Sequence, residues 1–148
     1  MVSKRWSGIA VLLGCFAFPL CAAQAPREQT EANQPPGISE VESLVEAQLA
    51  AYNRRDLEGF LDYYSDDAVL VDYPDRITQA GKEALRTRYR KSFANPHIRA
   101  AIAKRIVFGN FVVDHEQLTR APTPGMIEAV AIYEIRDGKI VRVTFLDE

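Results

Sequence analysis

From Ser39 onward the hydrophobic and polar positions alternate with two different periods. Val41, Leu44, Val45, Leu49 and Tyr52 recur at helical spacing, and Ser39 with Glu42 forms a capping box ahead of them. Gln48 falls inside this stripe, where a polar side chain needs a partner or a cavity. Asp56 can cap a short second helix whose apolar face is Leu57, Phe60, Leu61 and Tyr64, ended by Ser65-Asp66-Asp67. Ala68 to Tyr73 reads as a strand closed by Pro74-Asp75. Lys82 to Phe93 reads as a third helix, with Leu85, Tyr89 and Phe93 on one side and Asn95-Pro96 as its stop.

The pattern then changes to a period of two. Strands are expected over 98–108, 111–119, 126–135 and 139–146, punctuated by Gly109-Asn110, the Pro122 to Gly125 loop and the hairpin pair Asp137-Gly138. A regular two-residue hairpin pairs Val141, Val143 and Phe145 with Glu134, Ile132 and Val130 on one mostly apolar face, with Glu128 at its far end. On the preceding strand Phe111, Val113 and His115 share a face and Asp114 and Glu116 point the other way. The expected fold is α+β, a cone-shaped barrel of three N-terminal helices on a curved, mainly antiparallel sheet, with a pocket between the layers.

The start of the chain follows another logic. Lys4-Arg5, the twelve-residue stretch Ile9 to Leu20 and Ala22-Ala23 have the layout of a secretory signal peptide over 1–23. The stretch is shorter than the roughly 20 apolar residues of a membrane span. Residues 24–38, with three prolines and a glycine, read as a flexible linker, and 39–148 as the single folded domain. Export to the periplasm or medium is therefore expected, with a lipid anchor at Cys15 as the minority alternative. Both cysteines, Cys15 and Cys21, lie in the signal, so the mature chain has neither a disulfide nor a thiol nucleophile. Cleavage removes Lys4 and Arg5 and no acid, taking the net charge from −2 to −4 and arguing against nucleic acid as partner.

The helix–Asn53-Arg54-Arg55-Asp56–helix entry, the run Tyr64 to Asp72 and the closing Tyr133 to Ile140 together resemble the nuclear-transport-factor-2-like superfamily, nearest its SnoaL-like and ketosteroid-isomerase-like branch. That resemblance implies a general base at Asp72. It also implies an oxyanion pair of a helix-one tyrosine and a late-strand aspartate; those places hold Gln48 and Val130 here, so a steroid isomerase's donors are missing. A SnoaL-type cyclase needs chiefly one acid–base aspartate in an apolar pocket.

Asp72 and His115 are thus the candidate catalytic residues, a carboxylate and an imidazole on strand faces expected to turn inward. Gln48, Tyr52, Tyr64, Glu128, Val130 and Phe145 are the candidate pocket lining for a small apolar, carbonyl-containing molecule. No cofactor and no metal site are expected, because the acidic run from Asp56 to Asp75 spreads over alternate faces. The basic block from Lys82 to Arg105 reads as its ion-pairing partner or as a solvated face. Ala129, Ala131, Tyr133, Ile135, Ile140 and Leu146 form a face too apolar for water, which predicts a homodimer through the outer sheet face. The alternative function is a non-catalytic ligand-binding or assembly module of the same fold.

Overall fold

The computed structural model describes residues 38–121 and 126–147. The segments expected to be a signal peptide and a linker, up to Gly37, lie outside the described residues, as does the Pro122 to Gly125 loop. Helices α1 (Ile38–Arg54), α2 (Leu57–Leu61) and α3 (Lys82–Phe93) accompany six strands: β1 (Tyr64–Asp72), β2 (Arg76–Ala80), β3 (Arg99–Phe108), β4 (Phe111–Thr119), β5 (Met126–Arg136) and β6 (Lys139–Asp147). They form one sheet in the order β2-β1-β6-β5-β4-β3, antiparallel throughout except for the β1–β6 pair. The helices cover one face, so the architecture is the expected α+β cone.

The expected cap of α2 and the apolar stripes of α1 and α3 are all present. Asp56 accepts from the Gly59 amide at 3.1 Å and caps α2. Val41, Val45, Gln48 and Ala51 are the buried stripe of α1, and Leu85 and Tyr89 that of α3. They meet Phe60, Leu61, Leu70, Val112, Ile135, Ile140 and Val143 in one core. The acidic and basic blocks do pair: Lys82 Nζ lies 2.8 Å from Asp66, and Arg86 binds Glu58.

Three elements depart from the sequence reading. Tyr64 is not on α2; it opens β1, paired with Ile140 and almost wholly buried. β2 was not expected at all. It is an edge strand bonded only to β1, so its residues carry no alternating apolar pattern, and Ile77 is exposed.

The third departure matters most. Asp137 and Gly138 form the hairpin tip, both with positive φ, and Arg136 faces Lys139 as expected. Ile135 faces Ile140, but Glu134 then faces Arg142, leaving Val141 as an extra residue. This β-bulge moves every later β5 partner by one and so exchanges the two faces of the strand. Tyr133 faces Val143 and Ala131 faces Phe145, all on the inner side, while Val130 and Ile132 turn outward. β4 follows: Val112, Asp114, Glu116 and Leu118 are buried beneath the helices, and Phe111, Val113, His115 and Gln117 face away. The apolar face assigned to a dimer is therefore the core face. Of its residues only Leu146 turns outward.

Candidate functional site

The helical layer does not fill the cone. A cavity of about 80 Å³ remains between sheet and helices. α1 contributes Gln48, Leu49 and Tyr52, β1 Tyr64 and Asp72, and α3 Arg88, Tyr89 and Ser92. The sheet adds Ala100, Glu116, Leu118, Arg120, Ala129, Tyr133 and Phe145, with Ile98 just ahead of β3. Five of the residues expected at the pocket are thus brought together: Gln48, Tyr52, Tyr64, Asp72 and Phe145.

Two hydrogen-bonded pairs define its polar interior. Gln48 Nε2 donates to the Tyr64 hydroxyl at 2.9 Å. The Tyr64 oxygen is then the acceptor, and its own proton is left to give. Tyr133 Oη donates to Glu116 Oε1 at 2.8 Å. Tyr64, Tyr133, Gln48 and Glu116 are all buried. Phe60 packs its ring against Tyr52, Tyr64 and Tyr89 at centroid distances of 6.0, 5.0 and 4.3 Å, which fixes the hydroxyls' directions.

Asp72 sits at the end of β1, beside Phe145 of β6, where the Tyr73 amide donates to the Phe145 carbonyl at 2.9 Å. Its side chain is 27% exposed and pairs with Arg76, which is itself mostly in solvent. A shallower recess lined by Tyr73, Arg76 and Leu146 reaches the same carboxylate from outside. Asp72 therefore stands where the cavity meets water.

His115, Glu128 and Val130 do not join this site. They lie on the other face of the sheet, reversed by the Val141 bulge. His115 Nε2 is 3.0 Å from Glu128 Oε2, and that hydrogen bond, with a second from Gln117, holds the exposed Glu128 carboxyl below its ordinary range. Among the site residues that sequence reasoning missed are Glu116 and Tyr133. A signal for them exists: Glu116 shares parity with Val112 and Leu118, and Tyr133 with Ala129, Ala131 and Ile135.

A second buried carboxylate shares the inner face of β4. Asp114, 1% exposed, receives Arg105 Nε at 2.7 Å and Nη2 at 2.8 Å, a two-pronged pair. Arg105 also reaches Glu46 of α1 at 2.9 Å. Its bonds to Asp114 hold the guanidinium above its ordinary pKa. This ion pair ties α1 to the sheet, and it does not line the cavity. Among the described residues, no three His, Cys, Asp or Glu side chains converge as a metal set, and no helix is long and apolar enough to cross a membrane.

The buried hydroxyls have a pH signature. Burial raises Tyr52 to about 12 and lifts Tyr64, Tyr89 and Tyr133 as well. The unfolded chain loses these protons from about pH 10; the folded chain keeps them. Above that pH the unfolded state binds fewer protons, so stability falls as pH rises, while below it the contribution is complete. Tyrosinate absorbance should therefore rise for the buried rings in one cooperative step that coincides with loss of near-ultraviolet circular dichroism. A gradual rise in a still-folded protein would contradict the burial.

Residues 45–143 match the SnoaL-like domain family. A cystatin-fold protein from Novosphingobium aromaticivorans is 31% identical, with a TM-score of 0.66 over 74% of this chain and 98% of its own. A SnoaL-like protein from Burkholderia thailandensis superposes with a TM-score of 0.66 at 15% identity, covering 78% of this chain and 99% of its own. An LEH-like epoxide hydrolase of M. tuberculosis does so with 0.64 at 20% identity, covering 76% and 86%. These last two likenesses speak for the fold alone, and no curated protein matches the chain by sequence. With a family match through both helical and sheet layers, and a helix-covered cone around a polar-centred cavity, the chain belongs to the SnoaL-like domain family.

Proposed function

We propose that this protein carries out proton transfer on a small carbonyl-containing ligand, chemistry of the isomerase, cyclase or dehydratase type that uses no cofactor. One observation carries the reading: the cavity is lined by Asp72 and by Tyr64, whose hydroxyl oxygen accepts from Gln48. Asp72 takes a proton from the carbon next to the carbonyl, and Tyr64 donates to the oxygen on which negative charge develops. Gln48 does not itself replace the missing helix-one tyrosine. It aims another tyrosine, delivered from β1. The Glu116–Tyr133 pair offers a second hydrogen-bonding group on the opposite wall.

The test is deuterium exchange from heavy water into small ketones and enones, followed by NMR. Wild-type protein is expected to catalyse exchange and Asp72→Asn to lose it. Exchange that survives in Asp72→Asn would leave a binding module, the alternative reading.

We propose also that the protein is exported and works as a homodimer. Support for export is the Lys4-Arg5, apolar and Ala22-Ala23 layout. Support for the dimer is the true outer face, where Ile106, Val113 and Ile132 form one cross-strand row beside Phe108 and Phe111. Ile106 and Phe108 are 64% and 79% exposed. Native mass spectrometry of protein recovered outside the cytoplasm checks both. A chain beginning at Gln24 and a complex of twice its mass are expected; a full-length chain refutes export, and a monomer refutes the dimer.

A further inference from the structure

The rim of the cavity carries two cations that the fold does not use. Arg88 projects from α3 and Arg120 from the segment just after β4; both line the cavity, as does Ser92, one turn beyond Arg88 on α3. Asn95, just beyond α3, donates its side-chain amide to the Arg120 carbonyl at 2.8 Å, so the two segments are tied into one rim. Among the described residues six arginines form no ion pair with a carboxylate, Arg55, Arg88, Arg90, Arg99, Arg120 and Arg142, and of these Arg88 and Arg120 line the cavity. Two carboxylates share the cavity: Asp72, which pairs with Arg76, and Glu116, which accepts from the Tyr133 hydroxyl. Both arginines act electrostatically on Tyr52 and Tyr89, where they oppose Glu116, although burial raises both hydroxyls overall. The two arginines balance the two carboxylates of the lining, Asp72 and Glu116, in a chain of net charge −2.

We propose that the cavity selects small organic acids, with the ligand carboxylate held by Arg88 and Arg120 and its apolar body between Leu49, Ile98 and Leu118. A guanidinium is a flat fork that matches a carboxylate, and at a half-enclosed rim such a bond is stronger than in open water. The volume points the same way. About 80 Å³ is far below the roughly 300–1,000 Å³ of a pocket for drug-sized ligands. The enclosed part of the site thus suits a small ligand. The proposal deepens the functional reading above by naming its substrate class, yet its binding part stands without any catalysis.

The experiment uses matched pairs of probes, benzoate with benzamide and levulinate with levulinamide, titrated into the protein by NMR. Each pair keeps shape and removes charge. Wild-type protein is expected to bind the acid at least about tenfold more tightly than the amide, the ratio of a single charge-assisted bond. Arg88→Met and Arg120→Met, which keep the apolar stem, should each abolish most of that preference while leaving amide binding unchanged. Asp72→Asn should retain it, since removing a nearby negative charge does not weaken an anion. Equal affinity for acid and amide, or a preference that survives both arginine substitutions, overturns the proposal, as does failure of both acids to bind. If the acids bind as expected while Asp72→Asn leaves exchange intact, the catalytic reading falls and this one stands. If exchange depends on Asp72 but acids gain nothing over amides, the reverse holds.

Discussion

Asp114→Ala is expected to destabilise the protein by about 3–5 kcal/mol. Asp114 is 1% exposed and Arg105 12%, and their two hydrogen bonds are what make the burial of either charge tolerable. Removing the aspartate leaves a guanidinium under α1 with only Glu46, whose side chain is 64% exposed and too well hydrated to replace it. For the same reason Glu46→Gln should change stability by no more than about 1 kcal/mol. The combined replacement Arg105→Met with Asp114→Leu should recover most of the loss, because an apolar pair needs no partner in that place. Urea unfolding followed by circular dichroism measures all three. A loss below about 1 kcal/mol for Asp114→Ala would mean that water reaches the pair and that it does not hold α1 to the sheet.

The second large effect concerns turnover. Asp72→Asn keeps the size of the side chain and removes its ability to accept a proton, so exchange on an identified ketone should fall by about 10²–10⁴-fold, or roughly 3–5 kcal/mol in the barrier. Tyr64→Phe should cost about 10²–10³-fold, the range for one donor to a developing oxyanion. This variant also leaves the buried Gln48 amide without its acceptor, so its stability must be measured beside its rate. The two losses should fall in kcat, because both groups act where charge moves. A rise in KM alone would make Asp72 and Tyr64 binding residues. Loss of exchange in proportion to loss of folded protein would make them structural.

The site as the sequence presents it and the site as folded overlap on Gln48, Tyr52, Tyr64, Asp72 and Phe145. The residues on α1 were legible because a helix has one period, and a polar Gln48 in an apolar stripe stands out. Asp72 and Phe145 were legible because each shares a face with plainly apolar neighbours, Leu70 and Val143. His115, Glu128 and Val130 were misplaced by a single cause, the extra residue Val141. A strand has a period of two, so one bulge exchanges its faces all along the neighbouring strands. The row Ala129, Ala131, Tyr133, Ile135 was too apolar to face water, and it faces the core instead of a partner.

The sequence by itself determined the order of the three helices and of five of the six strands, the Asp56 cap, the Asp137-Gly138 hairpin and the membership of a helix-covered sheet fold. These depend on local chemistry and on periodicities that residues close in the chain carry together. Only the tertiary structure decided which face of β4 and β5 turns inward, because that depends on a bulge whose energy is settled by packing across strands. Only it could bring Gln48 to Tyr64, Glu116 to Tyr133 and Arg105 to Asp114, pairs 16, 17 and 9 residues apart. Only it could set Arg88 and Arg120 on one rim, where Arg88, which by sequence is an ion-pairing or solvated residue, becomes part of a cavity. Spacing along a chain records what a residue can do nearby; burial, which turns a carboxyl, a hydroxyl or a guanidinium into chemistry, is a property of the whole fold.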